Sequence, residues 1–122
     1  MNTARVAVAA LTLLLAAAHS YLGERYILIR LFRRADLPKL FGSEEFTKRT
    51  LRFAWHLTSV AYVGLAAVLV SLPLTGAGAA RAPAQAVAVT FAISGVVAIV
   101  GSKGRHLSWI VFLVLAALAW YS

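Results

Sequence analysis

Apolar residues run almost unbroken over residues 5–22, 53–74, 84–101 and 106–121, and the charged residues gather in the intervals between them. A helix rises 1.5 Å per residue, so about 20 such residues cross a hydrocarbon core of ~30 Å. The pattern predicts one all-α domain over 1–122, an integral membrane four-helix bundle whose last span is short. The first run also fits a secretory signal peptide, with Ala16, Ala17 and Ala18 before a cleavage site, but it is read here as the first span. Pro73, Gly76, Gly78, Arg81 and Pro83 mark one short turn, and Gly101, Ser102, Lys103, Gly104 and Arg105 mark another. The first interval, 24–52, is far longer. Its opening string, Glu24 to Arg34, mixes aliphatic and basic residues and is expected to leave the first span at Gly23 as an amphipathic segment lying along the membrane surface. Pro38 ends that segment, and Ser43, with Glu44 and Glu45 in the first turn, is the expected N-cap of the second long helix.

Composition narrows the class. The chain is 61% hydrophobic with mean hydropathy +0.83, well beyond a soluble domain. Cysteine is absent, which excludes disulfides, thiolate metal sites, iron–sulfur clusters and covalently attached c-type haem. The net charge of +8 does not point to nucleic acid, because no soluble fold presents the basic residues to a groove. Topology explains it better. Four spans place Arg25, Arg30, Arg33, Arg34, Lys39, Lys48, Arg49, Arg52, Lys103 and Arg105 on one side, and only Arg5 and Arg81 on the other. Ten against two predicts that loops 24–52 and 101–105 are cytoplasmic and both termini lie outside, in a bacterial inner membrane. Anionic headgroups are the expected partners of the basic loop, through Arg30, Arg33 and Arg34. Trp55, Trp109 and Trp120 are the expected interface anchors.

That topology brings all three histidines to the cytoplasmic ends of their spans. Ionisable groups at membrane depth are costly and point to function. His19 and His56 on different helices form a candidate axial pair for b-type haem, with Arg52 available to a propionate. Alternatively His19, His56 and His106, with Glu24, form a candidate transition-metal site of nitrogen and oxygen ligands. The plainer reading is that each histidine snorkels or bonds a carbonyl. Glu24 lies about 140° around the helix from His19, which favours a salt bridge to a nearby arginine over ligation.

Three lesser patterns complete the picture. Ala86, Thr90, Ser94, Ala98 and Ser102 recur every fourth residue, a small-residue stripe suited to close helix packing, within the bundle or in a homodimer or larger membrane complex. Leu72 to Gly76 matches a sortase motif but is read as a helix end and turn, because two spans follow it. No carboxylate lies inside a span, which disfavours a small proton-coupled transporter. Three histidines are too few for a membrane di-iron hydroxylase, and no phosphate loop or nucleophile elbow is present, so catalysis is not the expected role.

The strings HSYLGERYILIR, DLPKLFGSEEFTKRTLRFAWHLTS and GRHLSW resemble a group of small four-span bacterial inner-membrane proteins, a resemblance that implies the fold and no activity. Histidine followed by glycine and arginine near an interface is similar, by analogy, to the haem-anchoring subunits of succinate dehydrogenase. The function expected is therefore a haem or metal site at the cytoplasmic end of the bundle. The alternative is a non-catalytic accessory or lipid-interacting protein in which the histidines are structural.

Overall fold

The computed structural model describes residues 3–74, 76 and 78–122, so Thr75, in the Leu72–Gly76 string, lies outside the described residues. The described residues form four helices and no named strand. Helix α1 covers Thr3–Leu31, α2 covers Glu45–Ser71, α3 covers Ala82–Ser102 after a 3-10 turn at Ala79–Arg81, and α4 covers Ser108–Tyr121. The first three are long and apolar enough to cross a membrane. The fourth, expected as a short span, is apolar and has 14 residues, which rise only ~21 Å.

The amphipathic segment expected to lie along the membrane surface does not form as a separate element. Helix α1 runs through Gly23 as a π-helical stretch, Gly23–Leu28, and a last α-turn, Ile29–Leu31. Its 29 residues rise ~43 Å, so its basic end projects beyond a ~30 Å apolar layer. Gly23 does not break the helix, and the indole of Trp55 occupies the space that a Cβ there would need. Chain direction changes later, where Phe41 and Gly42 both take left-handed backbone conformations (φ 56° and 86°). Helix α2 then starts at Glu45, whose N–H donates to the Ser43 hydroxyl at 3.3 Å.

The helices pack in chain order, α1 on α2, α2 on α3 and α3 on α4. Among the described residues no comparable α1–α4 interface closes them into the expected bundle, so they form an open row. The α2–α3 interface depends on glycine at two places. Gly64 of α2 receives Thr90 of α3, and Gly101 of α3 receives Phe53 of α2, each so closely that a Cβ would collide. The small-residue stripe thus lies on the face of α3 turned toward its neighbours: Ser94, Ala98 and Ser102 are buried, and Thr90 sits against Gly64. Such close approach of small residues supplies van der Waals contact between the helices.

The α3–α4 turn is fixed by its own chemistry. Lys103 and Gly104 adopt left-handed conformations, and the Gly104 N–H returns to the Ile99 carbonyl at 2.8 Å, closing the helix end as a Schellman-type cap does. Buried Ser102 donates to the Ala98 carbonyl and accepts the His106 N–H. At the other end of α4 the Arg81 guanidinium donates to the Trp120 carbonyl at 2.9 Å.

Gly64→Val is expected to lower stability by about 1–3 kcal/mol through overpacking against Thr90. Thermal unfolding in detergent checks this. Thr90→Ala in the same chain should recover part of the loss, and purely additive effects would contradict the contact.

Candidate functional site

One end of the α1–α2 interface carries a polar network inside otherwise apolar helices. Ser20 and Glu24 lie one turn apart on α1, and Arg52, His56 and Ser59 recur at spacings of four and three on α2, so each set shares a helix face. Packing the two faces together joins them. Glu24 receives Arg52 through both carboxylate oxygens, at 2.9 and 3.2 Å, and receives His56 Nε2 at 3.1 Å. His56 Nδ1 meets the Ser20 hydroxyl at 2.9 Å, Ser20 meets Ser59 at 2.6 Å, and Ser59 meets His19 Nδ1 at 3.3 Å.

Aromatic rings wall the network. The His19 ring stacks on Trp55, with centroids 4.7 Å apart and planes 13° apart, and meets Tyr62 edge-on at 6.0 Å. The Trp55 indole donates to the His19 carbonyl at 3.0 Å, as it lies over Gly23. Arg52 also lies over the Phe32 ring, at 4.9 Å. Gly23 is therefore the seat that lets Trp55 reach the α1 backbone, and the wide π-turn begins at that seat.

His106 does not join this group, which corrects the expectation that the three imidazoles converge. It packs against Phe46 and Phe53, with centroids 6.1 and 5.3 Å away. Its Nδ1 accepts the Ser108 N–H at 3.3 Å and meets the Ser108 hydroxyl at 2.9 Å. The imidazole thus satisfies an orphan donor at the start of α4, a capping role. Trp109, one residue further, donates to the Gly104 carbonyl.

The donor chemistry fits neither expected cofactor. Among the described residues no three His, Cys, Asp or Glu side chains group as a metal site. Of the proposed set only Glu24 and His56 touch, while His19 reaches them through two serines and His106 caps α4. For haem, His56 has both ring nitrogens engaged, by Ser20 and Glu24, so it offers no lone pair to iron without breaking the network. Arg52 is held by Glu24 instead of standing open to a propionate.

The network opens onto a cavity of 890 Å³ between α1 and α3, with α2 as its floor. Ser20, His56 and Ser59 form its polar end, the walls are apolar, including Leu13, Val63, Val89 and Ile93, and Gln85 and Trp120 lie toward the far end. Its α2 floor, His56 to Ala67, extends ~17 Å.

All four acids of the chain are paired, Glu24 with Arg52, Asp36 with Arg34, Glu44 with Lys48 and Glu45 with Arg49. The hydrogen-bonded Arg34 guanidinium holds the Asp36 carboxyl, in the exposed connection, below the usual carboxylate range. Arg30 lies over the Tyr26 ring, at 5.9 Å.

Ser20 and Tyr62 carry no sequence signal comparable to a histidine. Ser20 was nevertheless findable, one turn before Glu24 on the face that the 140° offset separates from His19.

Interhelical hydrogen bonds in membrane proteins are worth about 0.6 kcal/mol each on average. Trp55→Phe keeps a ring and loses the donor, so it should cost roughly that much. Trp55→Ala also empties the seat at Gly23 and should cost several-fold more, about 2–4 kcal/mol. Equal losses for the two variants, measured by unfolding in detergent, would show that the indole contact is not what joins α1 to α2.

No protein-family model matches the chain, and neither a curated protein nor a solved structure matches it.

Proposed function

We propose that the protein is a non-catalytic, multi-pass protein of a bacterial inner membrane that holds an amphiphile in the α1–α3 groove, with a hydrogen-bonding head at Ser20, His56 and Ser59. The carrying observation is the pairing of one polar end with long apolar walls in a single cavity. Binding sites combine extended apolar lining with few placed polar groups in this way. The accessory or lipid-interacting reading is favoured over haem or metal because His56 spends both nitrogens within the protein.

Membrane insertion is supported by three long apolar helices whose exposed side chains include Leu11, Leu14, Leu65 and Val100. Four crossings are supported by the Arg81 bond to the Trp120 carbonyl. It ties the end of short α4 to the start of α3, so α4 returns to the side from which α3 departs. The ten-to-two distribution of basic residues supports a cytoplasmic place for the 32–44 connection and the basic helix ends that flank it. With every acid matched to a base, the excess positive charge there favours anionic headgroups.

Two measurements follow. The chain lacks cysteine, so single cysteines at Lys39 and Ser122 report sidedness without background. A membrane-impermeant thiol reagent should label the Ser122 variant from outside intact cells and the Lys39 variant only after lysis; the reverse pattern overturns the orientation, and labelling of neither residue from outside overturns the fourth crossing. For the groove, mass spectrometry of the extracted purified protein should find near-stoichiometric retained amphiphile. Val63→Trp, which fills the cavity, should reduce it at least fivefold, and unchanged retention would contradict the reading.

A further inference from the structure

The network at the head of the groove is a single continuous chain of groups that both give and take protons. Its order is His19 Nδ1, Ser59 Oγ, Ser20 Oγ, His56 Nδ1, His56 Nε2, Glu24, with successive contacts of 3.3, 2.6, 2.9 and 3.1 Å. With Glu24 ionised and His19 neutral, two arrangements of the protons satisfy every contact. Each hydroxyl has one proton, so fixing the direction of one bond fixes the next.

In the first arrangement His56 is neutral. The Glu24 carboxylate can only accept, which places the His56 proton on Nε2 and leaves Nδ1 an acceptor. Ser20 then donates to His56 Nδ1, Ser59 donates to Ser20, and His19 must donate to Ser59 from Nδ1. In the second arrangement His56 is an imidazolium and donates from both nitrogens. Ser20 must accept from it and donate to Ser59, and Ser59 must donate to His19 Nδ1. Neutral His19 then carries its proton on Nε2.

We propose that His19, Ser59, Ser20, His56 and Glu24 form a reversible proton relay that runs from His19, beside Trp55 and Tyr62, past the polar head of the groove to the charged end of α1 and α2. Passage from the interior outward balances without any co-reactant. One proton enters at His19 Nε2, and the Nδ1–H bond breaks as the Ser59 O–H bond forms. Ser59 passes its proton to Ser20, Ser20 passes its own to His56 Nδ1, and the Nε2 proton goes to the Glu24 carboxylate. Glu24, at the charged loop end, releases that proton to water, so one proton has entered and one has left. His56 is neutral with its proton on Nδ1, its Nε2 is free to accept the next proton, and the chain now points the other way. The opposite polarity carries the next proton inward.

The surroundings suit this task. Facing His56 are Glu24 and, through Ser20 and Ser59, His19 from α1, and Arg52 on its own helix. A second crevice beside it brings Glu45, Lys48 and Arg49 from α2, but only Val96, Val97, Val100 and Gly101 from α3. The charged groups thus lie at the loop end, and no ionisable group from α3 competes for the proton. Ser20, His56 and Ser59 line the 890 Å³ cavity, so the middle of the relay is open to whatever occupies it. The relay itself needs no occupant, and it stands whether or not the groove reading holds.

The test is 15N NMR of histidine-labelled, ligand-free protein in lipid nanodiscs across a pH titration. At high pH His56 should carry its proton on Nε2 and His19 on Nδ1. As His56 becomes doubly protonated, His19 should shift its proton to Nε2 while remaining neutral, with the same midpoint. Ser20→Ala should abolish that linked shift, and Ser20→Thr, which keeps the hydroxyl, should restore it. Ser59→Ala provides a second break if Ser20→Ala folds poorly. A His19 tautomer indifferent to His56 protonation in the unsubstituted protein, or a linked shift that survives loss of either hydroxyl, would overturn the relay.

Discussion

The constraint on which the rest of this structure depends is the placement of polar side chains at one end of an apolar helix pair. An unpaired polar group packed between apolar helices is costly, so Glu24, Arg52, His56, Ser20, Ser59 and His19 are tolerable there only if they satisfy one another. Their contacts fix the rotation of α1 and α2 about their own axes and their register along one another. Trp55 adds the backbone contact, and Gly23 makes room for it. Once α2 is oriented by its α1 face, its other faces present Phe53 and Gly64 to Gly101 and Thr90 of α3, and the row extends from there.

An open row has a consequence that a closed bundle lacks. Helices α1 and α3 both contact α2, which leaves a lengthwise groove between them. The polar network necessarily borders that groove, because Ser20, His56 and Ser59 lie where α1 meets the edge of α2. A site for an apolar chain with a hydrogen-bonding head is therefore a by-product of the same packing that satisfies the network. In that account the histidines have different employments: His56 and His19 belong to the network, and His106 caps α4 while resting on Phe46 and Phe53.

The helices were legible in the sequence because long apolar runs between charged intervals have few other physical readings. The salt bridge of Glu24 was legible too, from its angular offset on α1. What could not be read was partner choice across helices. Gly23, between an apolar run and a basic string, reads as a helix boundary, yet the helix runs through it, and what the glycine does is make room for Trp55 of another helix. The expected topology puts the three histidines at one interface, but topology gives depth and not azimuth; His106 packs against Phe46 and Phe53, away from Ser20 and Ser59. Likewise the stripe from Ala86 to Ser102 announces close packing, while its use within the chain depends on Gly64 and Phe53 of α2.

The most direct measurement of the central claim is an experimental structure in a lipid nanodisc, determined with a bound antibody fragment to supply size. The account predicts elongated density in the α1–α3 groove whose head lies within hydrogen-bonding distance of Ser20, His56 or Ser59, with Glu24 joined to Arg52 and His56. A metal or haem bound between His19 and His56, or a groove closed by direct contact of α1 with α3, would contradict it.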